Sequence, residues 1–316
     1  MEATHYAFVD ILKGIAILLI VYGHITPGAV PFVTDYVSTF HIPLFFFVSG
    51  LLYNDAKYKN DFRSFAKNRL KGLVLPFLYF SIIVALGYFF IADDYLQFLI
   101  HLLSSGWTAG YALWFLPVLI LVEFAYYSIS LLGVRLLRLG IIAISAIVSY
   151  FSAQYIGLLP HNVLLVFCGL WFYGLGNNSR RFLSYSANPS QNRTIEIMLL
   201  GLILSLLYIP FSKTLPEWFI NKIPSPIFYI TPVAATIGIG GVSVLISKYS
   251  TFWSKFFAIC GKQSFIILAF HQIICMIAQQ YLPAKISILI MIIFLIILVM
   301  TIPEYLPWML GKYRTK

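Results

Sequence analysis

An apolar stretch near the start of the chain, residues 10–24 (DILKGIAILLIVYGH), carries one lysine, Lys13, and one histidine, His24. Their spacing of eleven residues is three helical turns, so a helix would place both on one face, about 16 Å apart along its axis. Ionisable groups inside a membrane segment are costly and usually face a cavity or a partner, which makes the pair a candidate functional site. Either residue alone also fits a structural role, as a headgroup contact or an interhelical hydrogen bond.

The composition is that of a membrane protein. Of the 316 residues, 60% are hydrophobic and 10% are charged, and the mean hydropathy is +0.89; soluble proteins carry about 25% charged residues. No polar stretch is long enough for a soluble domain, so we expect residues 1–316 to form a single transmembrane domain. The three cysteines lie in or beside apolar runs and indicate no disulfide framework.

Apolar runs long enough to cross a bilayer follow one another along the chain. They predict an all-α polytopic protein with about ten transmembrane helices. Their expected ranges are 8–27, 36–53, 71–92, 112–132, 139–157, 161–177, 194–211, 226–247, 257–281 and 286–310. In an alternative reading, residues 95–105 form a short interfacial helix packed outside the fourth span.

The basic residues indicate the orientation of these helices. Of the 21 basic residues, sixteen lie in the even-numbered connections and the C-terminal tail, and three lie in the opposite set of connections. The positive-inside rule then places both termini in the cytoplasm, and we expect the protein in a bacterial cytoplasmic membrane. The net charge of +10 therefore reflects topology, and we expect no nucleic-acid partner.

Histidines converge at one depth in this topology. His24, His41 and His271 all fall in the outer half of the membrane, whereas Lys13 and Lys262 fall toward the cytoplasm. Because an imidazole changes charge near neutral pH, this convergence is the best physical indication of a reaction centre.

Five segments in order resemble the integral-membrane acyltransferase 3 family, whose members O-acylate sugars and other acceptors. They are Lys13-x10-His24 in its Asp10, Gly14 and Ala16 setting, FHIPLFFFVSG (40–50), FAKNRLKGLVLPF (65–77), Trp114-Phe115-Leu116, and GKQSFIILAFH (261–271). The family usually has arginine at the position of Lys13, and a second arginine often stands where this chain has Gly72. Many members also carry an SGNH-type esterase domain, and we expect this chain to resemble the members without it.

The resemblance implies acyl transfer from acyl-CoA, here acetyl-CoA, to a hydroxyl group. Such a reaction needs a base for the alcohol proton and a site for the donor. His24 is the candidate base, acting directly or through an acyl intermediate. His271 is a second base, a residue that orients the acceptor, or a structural residue that makes an interhelical hydrogen bond.

The CoA phosphates require cations on the cytoplasmic side, and we assign Lys13, Lys67, Arg69 and Lys71 to them. Trp114 is expected to stack on a sugar, and His41 to have a structural role or to form a pocket wall. We expect no metal. Asp10 should pair with Lys13 one helical turn away, and the intramembrane Glu123 and Glu304 should pair with Lys13 or Lys262.

The function implied by the resemblance is a membrane O-acetyltransferase that modifies a cell-surface glycan or its lipid-linked precursor. A polysaccharide or lipid-linked sugar transporter is the alternative, although we find none of the inverted repeats that transporters commonly show. A structural or sensor protein would have little need of the Lys13–His24 face. Acceptor identity and oligomeric state are open, and membrane lipid is the expected surrounding.

Overall fold

The computed structural model describes residues 6–25, 31–92, 94–104, 111–154, 161–181, 183, 190–207 and 226–312. Within these residues the chain is helical and contains no β-strand, as the all-α prediction requires. The helices are α1 (Ala7–Ile25), α2 (Pro31–Leu52), α3 (Asp55–Tyr58), α4 (Phe62–Arg69), α5 (Leu75–Tyr88), α6 (Tyr95–Ser104), α7 (Phe115–Ser130), α8 (Arg135–Gln154), α9 (His161–Asn178), α10 (Gln191–Leu206), α11 (Thr231–Tyr249), α12 (Thr251–Lys262), α13 (Ser264–Tyr281) and α14 (Ala284–Tyr305). A π-helical turn, Leu70–Val74, joins α4 to α5, and 3₁₀ turns lie at Tyr111–Trp114, Pro226–Tyr229 and Pro307–Leu310.

Several of these helices can cross a membrane, so the chain is an integral membrane protein. Six segments of the described chain are long and apolar enough: Ala7–Ile25, Phe62–Tyr88, Ala112–Ser130, Ile227–Tyr249, Ser264–Tyr281 and Ala284–Tyr305. The apolar helix Tyr36–Leu52 is shorter. The predicted spans 139–157, 161–177 and 194–211 correspond to α8, α9 and α10, and residues 155–157 and 208–211 of them lie outside the described residues. The count of ten spans and the cytoplasmic position of the termini stay predictions.

The predicted ninth span, 257–281, is divided between two helices. α12 ends at Lys262, α13 begins at Ser264, and Gln263 between them has φ −106° and ψ 17°, which interrupts the helix. At 12 residues α12 is about 18 Å long, too short to cross the hydrocarbon core by itself. Lys262, predicted to lie inside a span, is instead the exposed last residue of α12.

The part of the chain that the structure describes also contains three short helices. α3 and α4 form in the basic loop after α2, where Asn54 and Asp61 supply N-cap oxygens to the first backbone N–H groups of each helix. The third is α6, Tyr95–Ser104, which matches the alternative helix expected at 95–105.

The described residues group into two compact units. The first comprises Met1–Tyr53 and Val122–Lys262, and the second Asn54–Leu121 and Gln263–Lys316. The first unit therefore holds α1, α2 and α8–α12, and the second holds α3–α6, α13 and α14. α7 passes from the second unit into the first.

Helices of the first unit cross in backbone contact at glycines. At three crossings a Cβ built on the glycine would lie within 2.8 Å of a main-chain atom of the facing helix. The facing pairs are Gly14 with Gly261 (α1 and α12), Gly50 with Gly176 (α2 and α9), and Gly201 with Gly238 (α10 and α11). Small residues permit such close packing between membrane helices, where van der Waals contact replaces the hydrophobic effect as the main attraction.

A polar network holds the end of α2 within the first unit. The Asn177 amide donates to the Tyr53 carbonyl at 3.0 Å and accepts from the Tyr126 hydroxyl at 2.8 Å. The Arg180 guanidinium donates to the same Tyr53 carbonyl. Because the last carbonyls of a helix have no partner within it, these side chains stabilise the point at which α2 ends.

The second unit packs α5 against α13. The Phe80 ring contacts the rings of Phe265 and Phe270 at centroid distances of 5.2 and 5.3 Å. At Gly87 the two helices also lie close together, because a Cβ added there would be 2.9 Å from the side chain of Ile273. The part of α13 that carries His271 is therefore packed against α5 by aromatic and aliphatic contacts.

The Gly14 crossing yields a test of this packing. Gly14→Ala should lower the thermal stability of the purified protein, because its methyl group would overlap the Phe257 carbonyl oxygen, 1.9 Å from the Cβ position. Overpacking of this kind costs about 1–3 kcal/mol. The matched control is Gly23→Ala in the same helix, since no atom lies within 4 Å of that Cβ position. Equal melting temperatures for the two variants, measured in one detergent, would contradict the crossing.

Candidate functional site

Lys13 and Asp10 form an ion pair on α1. The Lys13 ammonium lies 3.0 Å from the Asp10 carboxylate, which confirms the pairing expected from their spacing. Asp10 is buried and Lys13 is half-buried. An ammonium carries three N–H donors, so Lys13 can keep Asp10 as a partner and still bind a second anionic group.

The glycine crossing lies at the same turn of α1 as this ion pair. A Cβ on Gly261 would fall 1.8 Å from the Asp10 carbonyl oxygen, and one on Gly14 would fall 1.9 Å from the Phe257 carbonyl oxygen. The turn Asp10–Gly14 is thus in direct main-chain contact with α12. This contact gives a physical reason for two glycines that the sequence analysis quoted only as parts of separate motifs.

His24 lies in the last turn of the same helix. α1 is continuous from Ala7 to Ile25, so Lys13 and His24 lie eleven positions, about three helical turns, apart on one regular helix and share a face. The His24 side chain is exposed within the described structure. Neighbouring groups partly desolvate the imidazole, and the part of His24 that stays at the surface is where a substrate hydroxyl would have to reach it.

His41 lies near His24 in the first unit, and the two imidazoles interact electrostatically. α2 begins at Pro31, so His41 lies ten residues into this helix. Its Nδ1 is 2.8 Å from the Val37 carbonyl oxygen. Because a carbonyl can only accept, Nδ1 donates, and Nε2 is the nitrogen that can take up a further proton.

His271 is fully buried in the second unit, at 0% exposure. Its Nδ1 lies 2.8 Å from the Ile267 carbonyl oxygen and 3.0 Å from that of Leu268, so this nitrogen also donates to the backbone. The ring is thereby fixed in orientation. Burial makes His271 less accessible to an incoming group than His24 is.

Trp114 is attached to the helix of His271 through a residue that the sequence analysis missed. The Gln272 side-chain oxygen accepts the Ala112 N–H at 2.8 Å, which ties the 3₁₀ turn Tyr111–Trp114 to α13. Trp114 is half-buried in that turn. In the sequence, Gln272 stands out only because it follows His271, and no pattern indicates that it binds Ala112.

The three cations of the basic segment 65–77 differ in how exposed they are. The Arg69 guanidinium lies over the rings of Tyr58 and Phe65, 5.6 and 5.4 Å from their centroids, so aromatic packing holds it in place. Lys67 and Lys71 are exposed. Of the three phosphate ligands predicted in this segment, Lys67 and Lys71 are more accessible than Arg69.

Lys71 lies in the π-helical turn, and its carbonyl group contacts Gly311 near the C-terminus. Gly311 has φ 68°, and a Cβ there would fall 1.8 Å from the Lys71 carbonyl oxygen, so only glycine fits this contact. Gly72 differs, because no atom lies within 4 Å of its Cβ position. Packing therefore does not require glycine where the resemblance expects a second arginine. Departures from α geometry such as this π turn are frequent at functional sites.

The structure places the predicted site residues in both units. Lys13, His24 and His41 belong to the first, and Lys67, Arg69, Lys71, Trp114 and His271 belong to the second. In the part of the chain that the structure describes, no group of three or more histidine, cysteine, aspartate or glutamate residues is arranged to hold a metal ion.

Comparison with known proteins identifies a family. A family model described as an acyltransferase domain matches residues 6–306, nearly the whole chain. No curated protein and no solved structure matches the chain.

Proposed function

The chain belongs to the acyltransferase 3 family, and on that premise we propose that it is a membrane O-acetyltransferase. Its donor is acetyl-CoA from the cytoplasm, and its acceptor is a hydroxyl group of a cell-surface glycan or of its lipid-linked precursor. The observation that carries the proposal is the arrangement on α1. One continuous helix holds an ion-paired cation, Lys13, and an accessible imidazole, His24, on the same face.

His24 is the general base of this proposal. It removes the proton of the acceptor hydroxyl as the hydroxyl oxygen attacks the thioester carbonyl of the donor. The new C–O bond forms, the C–S bond breaks, and the proton taken by His24 passes to the departing CoA sulfur. His24 is preferred to His271 because its side chain is exposed, whereas His271 is enclosed and its Nδ1 is bound to the backbone.

The donor carries a pyrophosphate and a 3′-phosphate, which need cationic ligands. Lys13 is the proposed phosphate ligand of the first unit. In the second unit, Lys67 and Lys71 are the accessible candidates, and Arg69 supports them from its place over Tyr58 and Phe65.

The acceptor is assigned to aromatic and imidazole side chains. Trp114 offers a flat apolar surface for a sugar ring, and Gln272 holds its turn to the helix of His271. We assign His271 to orienting the acceptor. His41, whose imidazole interacts with that of His24, is the proposed pocket wall of the first unit.

The role of His24 is tested by His24→Ala in cells from which the native gene has been removed. We expect the O-acetyl content of the surface polysaccharide, measured by NMR, to fall about 10²-fold or more, the usual contribution of a general base. The variant should be present in the membrane at the normal amount, and the purified protein should still bind acetyl-CoA. Normal O-acetylation by this variant would end the case for His24 as the base.

The role of Lys13 is tested by acetyl-CoA binding to purified variants. A charge-assisted hydrogen bond contributes about 1.5–3 kcal/mol, so Lys13→Met should weaken binding roughly ten-fold or more, while Lys13→Arg keeps it. Lys255→Met, at an exposed lysine of α12, is the control.

Removal of Lys13 also leaves the buried Asp10 carboxylate without its counter-charge, which destabilises a protein in its own right. The double variant Asp10→Asn, Lys13→Met removes that charge as well and separates the two effects. Unchanged acetyl-CoA affinity in both the single and the double variant would exclude Lys13 from the donor site.

A further inference from the structure

The first unit contains an apolar groove that the proposed reaction does not use. It has a volume of about 350 Å³ and lies between α9, α10 and α11. Residues from each helix line it: Trp171 and Leu175, Leu200 and Leu204, and Val233 and Ile237. None of the lining residues is charged.

The wall of the groove is made of carbon atoms, because the polar side-chain atoms of its two aromatic residues, Trp171 and Tyr229, already form hydrogen bonds with other protein atoms. The Trp171 indole N–H donates to the Tyr229 carbonyl oxygen at 2.9 Å. The Tyr229 hydroxyl donates to the Ser149 side-chain oxygen at 3.1 Å. A site without convergent polar groups does not hold ordered water and does not recognise a sugar or a phosphate. Its ligand must be a hydrocarbon.

The groove lies along a candidate membrane span, where the acyl chains of lipids surround the protein. Tyr229 and Ile237 mark its extent along the candidate membrane span Ile227–Tyr249, a length of about 12 Å. This is less than half of the roughly 30 Å hydrocarbon core of a bilayer. At its rim, Leu200 and Ile230 are 59% and 63% exposed, so the groove opens onto the surface that such a span presents to lipid.

The depth of the groove follows from the small residues beneath it. Gly201 of α10 meets α11 so closely that a Cβ would lie 2.6 Å from the Gly238 nitrogen and 2.7 Å from the Ala234 carbonyl oxygen. Gly201 and Ala234 also line the groove. Two helices in backbone contact with almost no side chain between them leave a channel above the contact that the neighbouring side chains do not fill.

We propose that this groove binds one acyl chain of a membrane phospholipid, and that the chain packs α9 against the α10–α11 pair. The bilayer supplies phospholipid chains at the rim in far greater amount than any carrier lipid. The uncharged lining offers no cation that would select a lipid by its phosphate. The bound chain completes the packing of three helices and stabilises the folded protein by mass action.

The first test is photo-crosslinking of the unaltered protein in vesicles of phosphatidylglycerol that carries a diazirine midway along one acyl chain. We expect labelling to concentrate on residues 197–204 and 229–237. The reference for ordinary boundary lipid is the lipid-accessible stretch 292–297 of α14, where Ile296 is 59% exposed. Labelling of the groove segments no greater than that of 292–297 would overturn the proposal.

The second test fills the groove with a side chain. Leu204→Trp and, as an independent alternative, Val233→Phe enlarge residues of the lining, while Ile203→Trp is the matched control at a 61% exposed position of the same helix outside the groove. Native mass spectrometry after detergent washing should show one retained phospholipid per chain in the wild type and the control. We expect at least ten-fold lower occupancy in either folded groove variant.

Three results contradict the proposal in this second test. They are retention of the lipid by a folded groove variant, no retained lipid in the wild type, and identification of the retained molecule as a polyprenyl phosphate. The last result would assign the groove to a carrier lipid instead. If neither groove variant folds, the crosslinking pattern of the unaltered protein decides.

Discussion

The main-chain contact between α1 and α12 at Gly14 and Gly261 is the constraint on which the proposed donor site depends. Each glycine lies where a Cβ would overlap a carbonyl oxygen of the other helix, so neither position can carry a methyl group unless the helices move apart. The same turn of α1 carries Asp10 and Lys13, and the ion pair between them is thereby fixed in place. Because α1 continues without a break to Ile25, the contact also sets the position of His24.

Much of the fold could be predicted because hydropathy reports directly on membrane helices. The long apolar runs gave segments that the structure shows as helices, and Asp10 and Lys13 pair as their spacing within a helix predicted. The break at Gln263 escaped prediction, since the apolar pattern continues on both sides and only the backbone angles reveal it. α2 also begins at Pro31, five residues before the predicted span 36–53.

The candidate site was predictable in its residues but not in their partners. Histidines and cations in apolar runs stand out in a sequence because they are costly there. The contact of Gln272 with Ala112, the rings around Arg69 and the contact of Gly311 with Lys71 join residues that lie far apart or whose types give no signal. These contacts nevertheless determine which cations are accessible and how the turn of Trp114 is held, so the tertiary structure refines the assignment that the sequence began.

The central claim is that an acetyl group passes from cytoplasmic acetyl-CoA to a glycan hydroxyl. The most direct measurement supplies acetyl-CoA labelled in its acetyl group to sealed, inverted membrane vesicles, which present their cytoplasmic face to the solution. We predict that the label enters alkali-labile esters of the glycan or its lipid-linked precursor, with one equivalent of CoA thiol released for each ester formed. Vesicles of the opposite orientation should incorporate none. Label that remains in acetyl-CoA, or that enters glycan only in the opposite orientation, would contradict the account.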